Sequence, residues 1–147
     1  MKVIRLALSY IRQAEARVKD AREAYSEENY PYAVRLSQEA VELCLKAALR
    51  LVGIEYPKVH DVSEILLMHS ERFPEWFQRE AEYLAESSKV LAKKREISFY
   101  GGEEMLLTPE DLISREDALD AVRRAQKTLE LCKKLIQEYK EHINSRA

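Results

Sequence analysis

The residues of this sequence whose chemistry stands out lie in the segment KKREISFYGG, which spans residues 93 to 102. Arg95 carries a planar guanidinium that can hold a phosphate through two parallel charge-assisted hydrogen bonds. Lys94 precedes it, and Tyr100 follows it by five residues. A tyrosine ring can stack on a base, and its hydroxyl can donate to a phosphate. The segment is therefore a candidate site for a phosphate-bearing ligand.

Arg95 ends a line of residues that share one face of a predicted helix. The line steps by three or four residues, as an α-helix requires, and consists of Phe77, Ala81, Leu84, Ser88, Leu91, Arg95 and Ser98. A guanidinium on such a face needs water, a carboxylate or a ligand anion beside it. We expect Arg95 to face inward, or toward a partner chain, at the mouth of a cleft. The alternatives are a solvated charge run for Lys93 to Arg95, and simple packing under the following loop for Tyr100.

The histidines and cysteines offer fewer possibilities for chemistry. His60 precedes a helix start, where an imidazole can fix the turn by a hydrogen bond or contact a ligand. His69 lies on a short apolar face and is expected in the core or at an interface. Cys44 and Cys132 are 88 residues apart (132 − 44) with no CxxC or CxxH spacing, so neither a disulfide framework nor a metal site is indicated. No cofactor is expected.

Composition limits the class of protein. The 147 residues include 24 basic and 26 acidic side chains, a net charge of −2, so any anion site must be local rather than part of a basic coat. No apolar run approaches the ~20 residues that a membrane-spanning helix needs, and no signal segment is recognisable. We expect a reduced, cytoplasmic protein with no membrane contact. A chain of this length can form one domain, 1–147, with its own core.

The elements that must position the candidate residues are helices. Every long segment shows the three-four spacing of an α-helix, and only three glycines and four prolines interrupt the chain. We predict an all-α, up-and-down bundle of four long helices plus one short helix. Burial is expected for Leu43, Ala47, Leu84, Leu129 and Ile136.

Residues that favour helix starts and stops predict the boundaries. They are Pro31 in the first turn of the second helix (about 31–52), Gly53 as its left-handed cap, Asp61 with Glu64 as a capping box for the short third helix, Pro74 at the start of the fourth, Gly101 and Gly102 at its end, and Ser114 before the last helix. Between the last two helices, the polar stretch around Pro109 is predicted to be a loop of about a dozen residues, longer than usual.

The segment from residue 33 to 66 resembles the HEPN family, small helical domains named for nucleotide binding in higher eukaryotes and prokaryotes. The resemblance rests on Gln38-Glu39-Ala40, Leu45-Lys46-Ala47, Gly53, Pro57 and His60-Asp61, and it extends to REISFYGG (95–102) and ISREDALDAVRRAQKTLE (113–130). It implies a bundle that pairs with a second copy, often beside a minimal nucleotidyltransferase. In some members of the family the domain cuts RNA without a metal.

The family's nucleases use an arginine followed after four to six residues by a histidine. Arg95 matches that arginine, but Tyr100 occupies the position five residues later, and the next histidine after His69 is His142. A histidine near pKa 6.5 can move a proton at neutral pH, whereas a tyrosine near pKa 10 is a poor general base. The residues therefore favour binding over cleavage.

Two functions remain open after the sequence is read. The favoured one is a non-catalytic nucleotide- or RNA-binding module, a homodimer with a minimal nucleotidyltransferase partner, in which Arg95, Tyr100, Lys94 and His60 contact the ligand. The alternative is a metal-independent HEPN endoribonuclease toxin in which Tyr100, or a histidine from elsewhere in the chain, replaces the usual histidine.

Overall fold

Four long α-helices form the body of the molecule. The structure, a computed structural model, describes residues 2–146. In chain order the helices are α1 (Lys2–Ser26), α2 (Tyr30–Leu51), α3 (Ser63–Met68), α4 (Glu75–Gln78), α5 (Ala81–Tyr100), α6 (Pro109–Leu112) and α7 (Arg115–Arg146). Over the same residues there is no β-strand, only one antiparallel bridge between Gly102 and Leu107. The predicted all-α class is confirmed, although three short α-helices lie between the long ones instead of one.

The long helices run up and down in chain order. A three-residue turn joins α1 to α2, so these two helices pack antiparallel along their length. Arg95 near the end of α5 hydrogen-bonds to Gln38 near the start of α2, and Lys94 pairs with Asp117 at the start of α7. The end of α5 therefore lies beside the beginnings of both α2 and α7. This arrangement determines which side chains can meet at the candidate site.

Helix α2 is central to the core, as its broad apolar arc predicts. It packs against α1, α5 and α7, and most of its apolar side chains are buried. Of the five residues expected in the core, Ala47, Leu84 and Ile136 are buried. The expectation is wrong for Leu43 and Leu129, which pack against the core but are only partly buried, because they lie at the edges of their apolar stripes.

Four predicted boundary signals act as expected. Pro31 lies in the first turn of α2, and Gly53 and Gly101 follow their helices with φ of 80° and 67°, a left-handed region that glycine adopts without penalty. Before α7, the Ser114 hydroxyl accepts from the Asp117 amide, and the Ser114 amide donates to the Asp117 carboxylate, both at 3.0 Å. This reciprocal pair is a capping box.

The predicted capping box of Asp61 and Glu64 is wrong. Helix α3 begins two residues after Asp61, at Ser63, so Glu64 is its second residue and cannot reach back as a third-position partner. Asp61 instead accepts from the Ser63 amide at 2.9 Å and from the Ser88 hydroxyl at 3.2 Å. The Val62 amide donates to the same hydroxyl at 3.0 Å. Thus α5 supplies part of the cap of α3.

The predicted fourth helix is interrupted. Pro74 is the N-cap of α4, and the chain leaves the α-helical pattern after Gln78 before α5 begins at Ala81. The Glu80 amide donates to the carbonyl of Phe77, three residues back, so the turn is tighter than an α-helix. The side chains of the predicted line remain on one face across the break, because Phe77, Ala81 and Leu84 are all buried.

The predicted long loop before α7 contains regular structure. Glu103–Met105 forms a 3-10 turn, the bridge between Gly102 and Leu107 closes a small hairpin, and α6 follows. Thr108 caps α6 in reciprocal hydrogen bonds with Asp111 at 2.9 and 3.1 Å. Pro109, taken in the sequence as a loop residue, occupies the first turn of that helix.

None of the helices described between residues 2 and 146 combines the length and the apolar content needed to cross a bilayer.

Candidate functional site

Arg95 faces inward from α5 against α2. Its side chain is 24% exposed. The guanidinium Nη1 donates to Gln38 Oε1 at 2.5 Å and to Glu39 Oε2 at 3.4 Å. The positive charge of Arg95 on this otherwise apolar face is thus hydrogen-bonded to an amide and a carboxylate of the same chain.

A chain of hydrogen bonds joins Arg95 to His60. Gln38, only 2% exposed, accepts from Arg95 and donates from Nε2 to Glu42 Oε1 at 2.9 Å. Glu42 also contacts Lys46 Nζ at 2.8 Å and His60 Nδ1 at 2.7 Å. Gln38, Glu42 and Lys46 are four residues apart, so they share one face of α2. Two of the predicted site residues therefore belong to one polar network.

Glu42 is the ionised centre of this network. Burial by itself would raise the pKa of Glu42, but the hydrogen bonds from Lys46, Gln38 and His60 outweigh burial and leave that pKa below its ordinary value. Because an ionised carboxylate only accepts, His60 must donate from Nδ1. The Nε2 atom of a neutral His60 is then an acceptor, on a side chain that is 56% exposed.

Glu39 connects three helices at the same site. Its Oε1 pairs with Arg17 Nε of α1 at 3.0 Å, and its Oε2 pairs with Arg95 of α5 at 3.4 Å. One carboxylate therefore serves two guanidinium groups, which leaves the immediate surroundings positively charged.

Arg35, which the sequence analysis did not single out, lies beside these groups on α2. Its guanidinium is 4.8 Å from the ring centroid of Tyr32 and 4.3 Å from that of Phe99. The two rings are 39% and 37% exposed. No carboxylate within residues 2–146 forms an ion pair with Arg35. Arg35 is thus a cation held between two aromatic rings with its charge uncompensated by an ion pair.

These residues surround a cleft of about 450 Å³ between α1, α2 and the end of α5. The lining side chains are those of Ala16, Arg17, Asp20, Tyr32, Arg35, Leu36, Glu39 and Phe99. The signal that could have identified the α2 contribution is the spacing of Tyr32, Arg35 and Glu39, which recur at three and four residues on the face beside the buried one. The contribution of Phe99 depends on the antiparallel packing of α5 on α2.

Lys94 contacts a different part of the molecule. Its Nζ is 2.8 Å from Asp117 Oδ1 in the capping box of α7. Burial would raise the pKa of Asp117, but the hydrogen bonds from Lys94 and Ser114 lower that pKa overall. Lys94 therefore links the end of α5 to the start of α7, and its charge is already compensated.

Tyr100 lies beside Phe99 rather than beside Arg95. Five residues correspond to about 140° of rotation around a helix, so Tyr100 is directed away from the Arg95 face. Its ring centroid is 5.7 Å from that of Phe99, and the residue is 60% exposed. The ring that the Arg95 guanidinium contacts, at 5.2 Å, is that of Phe99.

The cysteines lie in the core. Cys44 and Cys132 are both free and buried, and the contact with Cys132, together with burial, raises the pKa of the Cys44 thiol. Within residues 2–146, no group of three or more His, Cys, Asp or Glu side chains is placed to hold a metal ion.

Comparisons with known proteins agree on one fold. The family model described as HEPN domain matches residues 7–135. An archaeal HEPN homologue of known crystal structure is 24% identical, with a TM-score of 0.66 over 88% of this chain and 97% of that chain. A protein of known crystal structure from Thermus thermophilus is 21% identical, with a TM-score of 0.67 over 87% of this chain and 96% of that chain. No curated protein sequence matches the chain. At these identities the two structures are evidence of a shared fold alone.

Proposed function

The chain belongs to the HEPN family, and from that membership we propose that it is a non-catalytic helical module that binds nucleotide or RNA phosphate in the cleft between α1, α2 and α5. We further propose that it acts as a homodimer with a minimal nucleotidyltransferase partner. The first part rests on the residues of the cleft, and the second on the family resemblance together with an exposed apolar surface.

The observation that carries the binding proposal is the environment of Arg35. Stacking between Tyr32 and Phe99 fixes the plane of the guanidinium while leaving its N–H edge available to an anion. Arg17, which lines the cleft, shares the single carboxylate of Glu39 with Arg95. Two guanidinium groups, Arg17 and Arg35, line the cleft together with two carboxylates, Asp20 and Glu39. Arg95, paired with Glu39, adds a third cation beside it. This local excess of positive charge suits a phosphate, although the whole chain is slightly acidic.

The non-catalytic part of the proposal is supported by the position of Tyr100. A general base must come within hydrogen-bond reach of the proton that it removes. Tyr100 is directed away from Arg95, and the neighbouring ring on the Arg95 side is Phe99, which has no titratable group. Binding requires neither residue to move a proton.

A binding experiment tests this proposal. Fluorescence anisotropy would compare a labelled single-stranded RNA bound to the native protein and to Arg35→Ala. The matched control is Arg5→Ala, because Arg5 is exposed and lies twelve residues before Arg17 on α1, roughly 18 Å along the helix. We expect Arg35→Ala to weaken binding about 10- to 100-fold, the usual value of hydrogen bonds to a charged group, and Arg5→Ala to bind like the native protein. Equal affinities of all three proteins would refute the site.

Arg95→Ala should also weaken binding of nucleotide or RNA. Part of this loss of affinity would be indirect, because Arg95 contacts the Phe99 ring and pairs with Glu39, and both residues line the cleft. Circular dichroism and light scattering of this variant should match those of the native protein at moderate temperature. A folded, dimeric Arg95→Ala protein with native affinity would remove Arg95 from the proposed site.

An apolar patch beside the cleft supports the homodimer. We call it the hairpin patch; it consists of Met105, Leu106 and Leu112, all of them exposed. Leu106 is 88% exposed and has φ of 57°, a conformation that is costly for a side chain other than glycine. A second copy covering this patch would bury it and bring two clefts together.

Light scattering tests the dimer. The native protein should have about twice the mass of 17.2 kDa at micromolar concentration, and Leu106→Asp should be monomeric because it places a charge in the buried patch. Leu6→Asp is the control, since Leu6 is exposed on α1 but eleven residues before Arg17. A native protein that remains monomeric over this range would contradict the proposal.

Co-expression with a minimal nucleotidyltransferase, followed by affinity purification, tests the partner.

The second candidate function is the metal-independent ribonuclease, and His60 favours it. Glu42 holds Nδ1 of His60, so Nε2 is presented as a proton acceptor, in the way that a carboxylate orients a catalytic histidine. Incubation of labelled RNA with the native protein in EDTA decides between the two functions. We expect no cleavage. Cleavage that both Arg95→Ala and His60→Ala abolish would establish the ribonuclease instead.

A further inference from the structure

We infer that the cleft continues into two base-stacking surfaces, Tyr32 and Tyr100, and that its ligand is therefore a single strand of two or more nucleotides rather than a mononucleotide or a duplex. This inference rests on the proposed function, because it assigns a ligand class to the same cleft.

The geometry behind the inference is a row of flat groups across the mouth of the cleft. The row runs from the Tyr32 ring to the Arg35 guanidinium, at 4.8 Å, then to the Phe99 ring, at 4.3 Å, and finally to the Tyr100 ring, at 5.7 Å. The rings of Phe99 and Tyr100 are inclined by only 31° to each other. Helix α2 supplies one end of the row and the last turn of α5 supplies the other.

The two ends of the row are open to a ligand. Arg35 occupies the space between Tyr32 and Phe99, so those facing surfaces are already covered. Of the described rings and cations, only Arg35 stacks against Tyr32, and only Phe99 against Tyr100. Both tyrosines are exposed. A tyrosine in this setting offers a base a large apolar face with little loss of side-chain freedom.

The row combines rings with a guanidinium, as a nucleic-acid strand combines bases with phosphates. Single-strand binding sites combine cations that follow the backbone with aromatic rings that stack on successive bases. Here the Arg35 guanidinium and the Phe99 ring lie between the exposed rings of Tyr32 and Tyr100, so one phosphate could lie on Arg35 while one base stacks on Tyr32 and another on Tyr100. A mononucleotide has a single base and would use only one of the rings.

A duplex cannot stack along these rings, because the flat faces of its bases are already stacked on one another and only its phosphates, sugars and base edges are accessible from outside. A duplex would therefore bind through its phosphates without the contribution of the two rings. Stacking adds a contribution that does not depend on charge. Unpaired bases are therefore the expected ligand of the two rings.

The experiment compares four probes by competition against a labelled single-stranded oligoadenylate of about six nucleotides, a length typical of such sites. The competitors are inorganic phosphate, adenosine monophosphate, the unlabelled oligoadenylate and a duplex RNA of the same length. We expect the single strand to bind at least tenfold more tightly than each of the others. Tyr32→Ala and Tyr100→Ala should each weaken its binding by about 5- to 150-fold, the usual effect of removing one stacking ring.

Two matched measurements separate stacking from charge. Tyr32→Phe and Tyr100→Phe keep the ring and should bind like the native protein. In a salt titration, Arg35→Ala should reduce the slope of log affinity against log salt by about 0.7, the value for one phosphate contact to a single strand. The tyrosine variants should leave that slope unchanged.

The outcomes distinguish this inference from the proposed function. If adenosine monophosphate or the duplex competes as well as the single strand, or if the tyrosine-to-alanine variants bind normally, the stacking surfaces are refuted while the phosphate site remains. If none of the four probes binds to the native protein, both the inference and the proposed function are wrong.

Discussion

At the scale of single residues, Gln38 explains how a guanidinium is tolerated near the core. Its amide accepts from Arg95 through Oε1 and donates to Glu42 through Nε2, so both ends of a side chain that is almost completely buried are satisfied. A buried amide that loses such a partner incurs the cost of its desolvation. Arg95 therefore has a structural role in addition to any contact with a ligand.

The first prediction concerns that structural role. Arg95→Ala should lower the free energy of unfolding by about 1–3 kcal/mol, because the buried carbonyl oxygen of Gln38 loses its donor. Arg35→Ala is the comparison: Arg35 stacks on two exposed rings, and each such contact is worth about 0.5–1 kcal/mol at most at an exposed site. Urea denaturation of the three proteins measures the difference. A larger loss for Arg35→Ala than for Arg95→Ala would contradict this account.

The second prediction concerns pH. The folded pKa of Glu42 lies below its ordinary value of 4.5, so its contribution to stability is complete above that value and declines as pH falls through the folded pKa. Glu42→Gln should therefore be less stable than the native protein by about 1–3 kcal/mol at neutral pH. The difference should shrink in acid. Urea denaturation at pH values from about 7 to 3 measures it.

Glu130→Gln is the control for the pH series, because Glu130 is exposed and forms no ion pair among the described residues. Its stability should follow that of the native protein within about 0.5 kcal/mol. If the Glu42→Gln difference is constant across the series, the interactions of the ionised carboxylate with Lys46, Gln38 and His60 are not what stabilises the fold.

At the scale of the elements, the sequence predicts the helices well and their junctions less well. Local chemistry determines the boundaries at Pro31, Gly53 and Gly101, since a missing N–H or a left-handed φ acts within a few residues. The start of α3 could not be predicted in this way, because its cap includes Ser88, a residue of α5. The loop predicted around Pro109 is wrong because the same polar residues precede a proline in a loop and a proline in the first turn of a helix.

The site was only half predictable for a related reason. The three-four spacing places Arg95 on an inward face, and that expectation agrees with its contacts. The same spacing cannot say which face of α2 meets the end of α5, so Arg35 and Phe99, 64 residues apart (99 − 35), could not be paired. The sequence predicts Tyr100 as the ring beside Arg95 from its five-residue separation, but rotation around the helix places Phe99 nearer to Arg95.

The third prediction concerns the end of α5. A Cβ added at Gly101 would fall on the carbonyl oxygen of Leu107, whereas one added at Gly53 would meet only the end of the Arg72 side chain, at 3.9 Å. Both glycines have positive φ, so both alanine variants carry a backbone penalty of about 1–2 kcal/mol. Gly101→Ala should cost more, since backbone atoms of the hairpin must also move. Thermal and urea denaturation measure both losses; equal losses would mean that the hairpin adjusts freely.

At the scale of the whole molecule, the buried apolar side chains form one cluster with members from all four long helices and from α3 and α4. No composition change divides the chain, and α2 contacts each of the other long helices. Continuous cores of this kind unfold cooperatively in small proteins. We therefore propose that residues 1–147 form a single domain.

The fourth prediction tests that proposal with two signals. Trp76, the only tryptophan, donates from Nε1 to Glu138 of α7 at 2.8 Å, so its fluorescence reports the contact between α4 and α7. Far-ultraviolet circular dichroism reports all the helices. The two unfolding curves should coincide in urea. Separate midpoints would show that α4 and the end of α7 detach before the rest, and would count against one cooperative domain.

Glu39 has one further consequence, for the way the cleft would exchange ligands. Its carboxylate already serves as the counter-ion of Arg17 and Arg95, so a phosphate that arrives at these two guanidinium groups competes with an anion tethered to the protein. We expect Arg17 and Arg95 to discriminate against abundant small anions, which must displace Glu39 there without any compensating contact. A ligand that also binds Arg35 is already held in the cleft before it replaces Glu39 at Arg17 and Arg95. The Glu39 carboxylate would thus set a minimum affinity, and ligands that bind more weakly would not displace it.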